Sequence, residues 1–178
     1  MAHLAEYDFL NGLPNRLLFC DRVGQAIPLA RRLRRQAAVL FLDLDGIKHT
    51  NDTLGHAGGN KFLKSVANRL LNCVRAPDTV SRQGGDEFVM LLQDVQRPED
   101  AAATARRTLQ AVAEVYLADH SEFHVTASIG VSVFPYDGVD VEMHIKNMGW
   151  TRRLRQQNKT LFAVRCKILD RQDHRPQS

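Results

Sequence analysis

The chain has 178 residues, of which 44% are hydrophobic and 25% charged, so it is long enough for one folded domain with its own core. This composition excludes a disordered chain, a collagen-like repeat and a scaffold held together by disulfide bonds. The net charge of +4, from 24 basic and 20 acidic residues, suits an anionic ligand without requiring one. No apolar run approaches the roughly 18–20 residues that span a bilayer. The first ten residues also lack the basic and apolar segments of a signal peptide.

The cysteines and the basic residues indicate the cellular compartment and the kind of partner. Cys20, Cys73 and Cys166 have no metal-ligand spacing and leave one thiol unpaired in any disulfide scheme, which favours a reducing compartment. We therefore expect a cytoplasmic domain, either free or as the cytoplasmic part of a membrane-anchored sensor. The basic clusters 31–35 and 152–155 are most simply solvated helix faces. No nucleic-acid partner is expected, since aromatic residues are not interleaved with the basic ones.

The predicted elements begin after an N-terminal lead-in, residues 1–11. A helix is predicted from Arg16 to about Arg35, and Pro28 inside it predicts a kink or a break. The apolar run Ala37–Leu42 predicts a buried central strand. A polar, glycine-rich loop then leads into a helix over residues 58–74.

The second half of the chain begins with a predicted hairpin, in which the strands Thr79–Arg82 and Phe88–Leu92 flank Gly84-Gly85. Four more elements are predicted: a helix from Pro98 to about Tyr116, a strand over Phe123–Phe134, a helix over Val141–Arg155 and a short strand over Leu161–Val164. This order predicts an α+β fold, in which helices flank a central mixed, mostly antiparallel sheet with the hairpin at its centre. The folded domain spans residues 12–165, and residues 166–178 form a loose C-terminal tail.

Two acidic clusters are the strongest candidates for chemistry. Asp43 and Asp45 end the most apolar strand, where alternate residues face the same side. Asp86-Glu87 follows two glycines, which let the backbone approach a bulky ligand such as a phosphate. If the clusters face each other, they make a site for a hard cation such as Mg²⁺. The alternative is two ordinary acidic turns.

The loop after the first strand is rich in polar residues and glycine, and it feeds a helix N-terminus, which favours anions. Its polar residues include Lys48, Asn51, Asp52 and His56. Taken alone, His56 is more often a structural histidine than a ligand.

These residues resemble the motifs of the GGDEF domain family, the diguanylate cyclases. Residues 84–88 read Gly-Gly-Asp-Glu-Phe, like the family's signature. Four further segments resemble family motifs in the family's order: 8–16 with Asn11 in place of Thr, 43–52 with Ile47 in place of Phe, 55–60, and 127–132. The resemblance covers about residues 5–164 and implies the palm-like fold of nucleotidyl cyclases.

The resemblance also implies an activity and a set of residue roles. Two GTP molecules, one on each subunit of a homodimer, would condense to cyclic di-GMP with Mg²⁺ or Mn²⁺ bound. The metal would be held by Asp43, the Leu44 carbonyl and Asp86. The implied catalytic residues are Asp86, Glu87 and Lys48, and the implied substrate-binding residues are Asn51, Asn60, Gly84, Gly85, Arg155 and Lys159.

A second, inhibitory site is implied by Arg75-Ala76-Pro77-Asp78, which matches the family's R-x-x-D motif at the expected distance before Gly84. Arg75 would contact a phosphate and a guanine of the product, and Asp78 a guanine edge. Sensor or EAL domains are the partners expected in a longer protein, although no EAL domain is present in this chain.

Two departures from the family pattern support an alternative. Asn60 stands where the family has Asp, and an amide presents one donor where the carboxylate presents only acceptors to guanine. The segment that carries Arg155 and Lys159 is about one residue shorter, which turns a helix face by about 100°. The alternative is a degenerate domain that binds GTP or cyclic di-GMP as a regulatory module.

Overall fold

The computed structural model describes residues 6–118, 121–136 and 162–165. The described residues form three helices and seven strands: α1 Arg16–Leu33, β1 Gln36–Leu44, α2 Ile47–Asn72, β2 Thr79–Gly84, β3 Glu87–Val95, α3 Pro98–Ala113, β4 Tyr116–Ala118, β5 Ser121–Phe123, β6 Ala127–Phe134 and β7 Phe162–Arg165. The helix predicted over Val141–Arg155 and the tail 166–178 lie outside these residues. Within them, no helix is both long enough and apolar enough to cross a membrane.

Five strands form one sheet in the order β2-β3-β1-β6-β7, and every described pairing in it is antiparallel. The prediction of an α+β fold with helices flanking an antiparallel sheet is confirmed. The prediction that the hairpin lies at the centre is wrong. The centre is β1, which is buried along nearly its whole length and pairs with β3 on one side and β6 on the other. The hairpin β2–β3 therefore occupies one side of the sheet.

The alternation of side chains along β1 divides the core into two layers. Ala38, Leu40, Leu42 and Leu44 pack with α2 and α3, whereas Ala37, Val39 and Phe41 pack with α1. Asp43 continues the second row, so it lies on the face of the sheet that α1 covers. Its neighbour Leu44 is anchored in the opposite layer of the core.

The helices differ from the prediction at two places. α1 continues through Pro28 as one helix, so the predicted break is absent. α2 begins at Ile47 and is interrupted at Gly55, whose φ of 70° and ψ of 175° are not helical. The segment predicted as a loop is thus largely helical. Thr50 is buried and Ile47 partly buried there, too few inward-facing positions among polar residues to give a clear helical pattern.

The helix and strand boundaries after α3 also differ from the predicted ones. α3 ends at Ala113, and Tyr116 begins β4 instead of ending the helix. The strand predicted over Phe123–Phe134 is two strands, β5 and β6, separated by residues 124–126. Among the residues that the structure describes, β4 and β5 pair only with each other, as a small second sheet beside α2.

Candidate active site

The tip of the β2–β3 hairpin is built on two glycines. Gly84 lies opposite Glu87, with Gly85 and Asp86 between them as a two-residue turn. Gly84 has φ of 143° and Gly85 φ of 51°, values that L side chains rarely adopt. A β-carbon added at either position would meet nothing within 4 Å, so the turn has open space around it. The glycines are therefore required by the backbone, and the tip is accessible to a ligand.

The two predicted acidic clusters lie side by side. Asp43 on β1 is directly opposite Glu87 on β3, and the Leu44 N–H donates to the Asp86 carbonyl at 3.2 Å. The clusters meet because β1 and β3 are antiparallel neighbours, so the end of one strand lies beside the start of the other. The sequence prediction that the clusters face each other is supported by this register.

Asp45 is held by the segment that precedes β6. Its N–H donates to the Thr126 carbonyl at 2.8 Å, and the Thr126 hydroxyl donates to Asp45 Oδ2 at 2.9 Å. These bonds hold Asp45 in place just after the end of β1. Asp43, which lies opposite Glu87 in the strand register, is the carboxylate of β1 nearest to the hairpin tip.

The donor set at this site fits a hard divalent cation. The carboxylates of Asp43 and Asp86 and the carbonyl of Leu44 are oxygen ligands, which Mg²⁺ and Mn²⁺ prefer. In the described part of the chain, no group of three or more His, Cys, Asp or Glu residues is placed to hold a metal. Mg²⁺ commonly uses only one or two carboxylates and takes its other ligands from substrate phosphates and water. Two carboxylates and a carbonyl therefore suit a metal that arrives with a nucleotide.

The residues predicted to read the guanine come together on α2. A β-carbon added to Gly59 would lie 1.8 Å from Asn51 Oδ1, so the Asn51 carboxamide lies directly against the Gly59 backbone. Asn60 follows immediately and is exposed, and Lys48 is exposed in the first turn of the same helix. Asn51 and Asn60 are thus neighbours in space although nine positions separate them in sequence.

Arg82 is a site residue that the sequence analysis missed. Its guanidinium donates to both carboxylate oxygens of Asp8, at 3.2 and 3.1 Å, and to the Gly85 carbonyl, at 2.9 and 3.2 Å. The Arg82 and Asp8 side chains are only 10% and 13% exposed. Asp8 also accepts from the backbone of Leu10 and Asn11, so it organises the N-terminal turn. Arg82 therefore ties that turn to the glycine turn of the hairpin. The available signal was a lone arginine just before the two glycines of a predicted hairpin.

Arg75 and Asp78 differ in how far their side chains are exposed to solvent. The Asp78 side chain is 3% exposed, and its carboxylate accepts from the backbone N–H groups of Arg75 and Gln93, each at 3.0 Å. The Arg75 side chain is 61% exposed and donates to the Gln93 carbonyl at 2.7 Å. Asp78 thus fixes the turn before β2, and Arg75 presents most of its side chain to solvent. Contact of either residue with a product remains a prediction.

Two predicted phosphate-binding residues cannot be placed, and two cysteines outside the site are poor nucleophiles. Arg155 and Lys159 lie outside the described residues. Burial raises the pKa of the thiols of Cys20 and Cys73. A raised thiol pKa disfavours the nucleophilic thiolate, so neither group is suited to thiol chemistry.

Comparison with known proteins gives a consistent result. Residues 5–159 match the family model described as diguanylate cyclase, GGDEF domain. The bifunctional diguanylate cyclase/cyclic di-GMP phosphodiesterase MucR of Pseudomonas aeruginosa is 45% identical over 138 residues, which are 78% of this chain and 20% of that protein. The diguanylate cyclase TpbB of the same species is 39% identical over 136 residues, which are 76% of this chain and 31% of that protein. The chain thus spans about a fifth to a third of the length of these relatives.

Two solved structures are similar in fold. The isolated GGDEF domain of TpbB has a TM-score of 0.75 and 35% identity, covering 85% of this chain and 90% of that one. The GGDEF domain of DgcB from Caulobacter crescentus, in complex with c-di-GMP, has a TM-score of 0.71 and 26% identity, covering 79% of this chain and 84% of that one.

Proposed function

Because the chain belongs to the GGDEF domain family of diguanylate cyclases, we propose that it condenses two GTP molecules to cyclic di-GMP in a metal-dependent homodimer. The observation that carries this proposal is the register that places Asp43 opposite Glu87 and bonds the Leu44 N–H to the Asp86 carbonyl. That arrangement gathers carboxylates at an open, glycine-lined turn, which is where a triphosphate has room to bind.

The proposed reaction proceeds by two equivalent substitutions at phosphorus. The 3′-hydroxyl oxygen of each GTP forms a bond to the α-phosphorus of the other, and the bond from that phosphorus to the β-phosphate oxygen breaks. Each substitution releases pyrophosphate. Asp86 or Glu87 orients the hydroxyl and accepts its proton. One domain holds one GTP, so closing the ring requires two domains in an antiparallel arrangement.

Residues of β1, α2, the hairpin and the C-terminal part of the chain supply the rest of the proposed substrate site. Asp43, the Leu44 carbonyl and Asp86 would hold Mg²⁺ or Mn²⁺. When bound, the metal clamps the triphosphate and stabilises charge at the phosphorus under attack. Lys48 neutralises phosphate charge, and Asn51 and Asn60 contact the guanine edge. Gly84 and Gly85 let the second nucleotide approach, and Arg155 and Lys159 contribute further phosphate contacts.

Arg75 and Asp78 supply regulation in this proposal. Cyclic di-GMP binds there as an inhibitor, with Arg75 as the exposed contact and Asp78 as the residue that shapes the turn. The GGDEF domain of DgcB, solved in complex with c-di-GMP, supports binding of this product by the fold.

We propose that the chain is one domain of a longer protein with several domains. MucR is named for both a cyclase and a phosphodiesterase activity, and this chain spans 20% of it. We therefore propose sensor or EAL domains as partners. We also propose a cytoplasmic location and no role for nucleic acid.

A second candidate function is favoured by Asn60. Its exposed amide places an N–H donor where guanine also offers donors, at a cost of about 2–4 kcal/mol in GTP binding. Under this alternative the domain binds GTP or cyclic di-GMP and signals without turnover. The variant Asn60→Asp should then strengthen GTP binding by roughly 30- to 1000-fold. An amide matches the adenine edge, so ATP and GTP affinities measured side by side test base choice. A wild type that clearly prefers GTP contradicts relaxed selectivity.

Asp86→Ala distinguishes the two functions. If the domain is a cyclase, this variant loses Mg²⁺-dependent production of cyclic di-GMP but still binds added cyclic di-GMP. The matched control is Glu99→Ala, which removes a carboxylate from the start of α3 at the opposite end of β3. The control should retain turnover. Equal turnover by wild type and Asp86→Ala contradicts the proposed catalytic site.

A further inference from the structure

Gln93, near the end of β3, holds the turn over residues 75–78 at three points. Its side-chain Nε2 donates to the Pro77 carbonyl at 2.6 Å. Its backbone N–H donates to Asp78 Oδ1 at 3.0 Å, and its carbonyl accepts from the Arg75 guanidinium at 2.7 Å. This one residue therefore contacts both residues of the R-x-x-D motif and the proline between them.

These contacts lie at a bulge in β3. The pairing of β3 with β1 shifts by one residue between Leu92 and Val95, so β3 carries an extra residue there. Asp94, inside the bulge, has φ of 55°. β2 begins only at Thr79, so the turn takes the place of a paired strand beside Gln93. The backbone N–H and carbonyl of Gln93 thus bond to the turn.

The same contacts orient the Arg75 side chain without using it up. A guanidinium group has five N–H donors. One donor of Arg75 points at the Asp78 carboxylate at 3.5 Å and another at the Gln93 carbonyl, so within the described structure three donors remain for a ligand. A side chain that is already oriented loses less entropy on binding than a free one. The turn therefore presents Arg75, which is 61% exposed, in a fixed direction to an anion.

We propose that Gln93 is a positioning residue for the inhibitory product site. It fixes the turn so that Arg75 meets cyclic di-GMP in its binding orientation, and it does not itself touch the product. Gln93 can act this way only if Arg75 and Asp78 bind the product as proposed above. The bond to the Pro77 carbonyl is the part of this arrangement that a side-chain substitution removes.

Gln93→Met tests the role of the side chain in the full chain. Methionine keeps a similar length but lacks the donor to the Pro77 carbonyl. Calorimetry with cyclic di-GMP should show binding about 3- to 10-fold weaker than that of wild type, the effect of one hydrogen bond. Gln25→Met is the matched control, because it loses a comparable bond on α1, from Gln25 Nε2 to Asp21 at 2.8 Å. The control should bind the product as wild type does.

Amide hydrogen exchange, followed by NMR, separates local positioning from a general loss of stability. In Gln93→Met the backbone N–H groups of Arg75 and Gln93, which donate to Asp78, should exchange faster than in wild type. Exchange in the buried strand β1 should not change. Equal acceleration in β1 and in the turn would overturn a local positioning role.

Two results separate the role of Gln93 from the product site itself. If wild type does not bind cyclic di-GMP, or if Arg75→Ala binds it as tightly as wild type, the product site is wrong and Gln93 has nothing to position. If Arg75→Ala loses binding while Gln93→Met binds as tightly as wild type, the product site stands and the role of Gln93 is overturned.

Discussion

The carboxamide of Asn51 occupies the space that a side chain at Gly59 would need, because a β-carbon there would lie 1.8 Å from Asn51 Oδ1. The two residues lie on either side of Gly55, where α2 departs from helical geometry. A side chain at position 59 would therefore have to displace the Asn51 carboxamide. The contact places the Asn51 carboxamide against the backbone position that directly precedes Asn60.

Gly59→Ala should disturb this surface. The added methyl group must displace the Asn51 carboxamide or α2, at a cost of about 1–3 kcal/mol in the free energy of unfolding, and GTP affinity should fall with it. Gly24→Ala is the matched control, because Gly24 is also inside a helix but an added β-carbon meets nothing within 4 Å. It should raise stability by about 0.5–1 kcal/mol and leave GTP binding unchanged. Urea unfolding and calorimetry measure both effects, and equal behaviour of the two variants contradicts the packing argument.

Arg82→Ala should loosen the hairpin tip. It leaves the mostly buried Asp8 carboxylate unpaired and removes two donors from the Gly85 carbonyl, so we expect a stability loss of about 3 kcal/mol. Turnover of GTP should fall as well. Arg35→Ala breaks an ion pair with Asp94 in which both side chains are about half exposed, and it should cost less than about 1 kcal/mol. Comparable losses in the two variants would show that the Asp8–Arg82 pair has no special structural role.

Substitutions of Arg75 and Asp78 should affect product inhibition and stability to different degrees. Arg75→Ala should relieve inhibition by added cyclic di-GMP. It also removes a 3.5 Å ion pair with the buried Asp78 carboxylate and a hydrogen bond to the Gln93 carbonyl, so it should lower stability by about 1 kcal/mol. Asp78→Ala removes the acceptor for two backbone N–H groups and should lower stability by about 1–3 kcal/mol. Initial rates at increasing product concentration give the first result. An Arg75→Ala enzyme that is inhibited as strongly as wild type refutes the proposed product site.

Tyr116 should make stability depend on pH in the alkaline range. Burial raises the pKa of Tyr116 from 10.0 to about 12, although the nearby charge of Arg69 opposes the shift. Since the folded pKa exceeds the unfolded one, the contribution to stability is complete below about pH 10 and is lost as pH rises toward 12. Between pH 9 and pH 11.5 we expect wild type to lose about 2 kcal/mol more than Tyr116→Phe, by urea unfolding at each pH. Tyr136→Phe, which alters an exposed tyrosine, should follow wild type. Identical pH profiles for wild type and Tyr116→Phe would contradict the shift.

The strands β1, β2 and β3 were predictable because their signals are local, whereas the meeting of the two acidic clusters depends on the pairing of β1 with β3. The unbroken apolar run before Asp43 indicates a strand buried on both faces, and the glycine pair before Asp86 indicates a tight turn. Strand order is not local. Nothing in the pattern of the hairpin shows that β1 pairs with both β3 and β6, so its place in the sheet was predicted wrongly.

The missed features depend on contacts between distant residues or on weak patterns. Arg82 and Asp8 are 74 positions apart, and their pairing follows from the return of the N-terminal turn to β2. The first part of α2 carries few apolar residues, so its helical structure is set by the surrounding fold. Likewise, Tyr116 appears at the end of a helical pattern, and only the fold shows that it begins a strand beside α2.

The most direct test of the proposed function is to incubate the purified chain with GTP and Mg²⁺ at low and high protein concentration, and to quantify cyclic di-GMP by chromatography. A homodimeric cyclase predicts product that rises more steeply than in proportion to protein, and that is lost in Asp86→Ala. Absence of product at every concentration, in a chain that still binds cyclic di-GMP, would contradict the cyclase and identify a receptor domain instead.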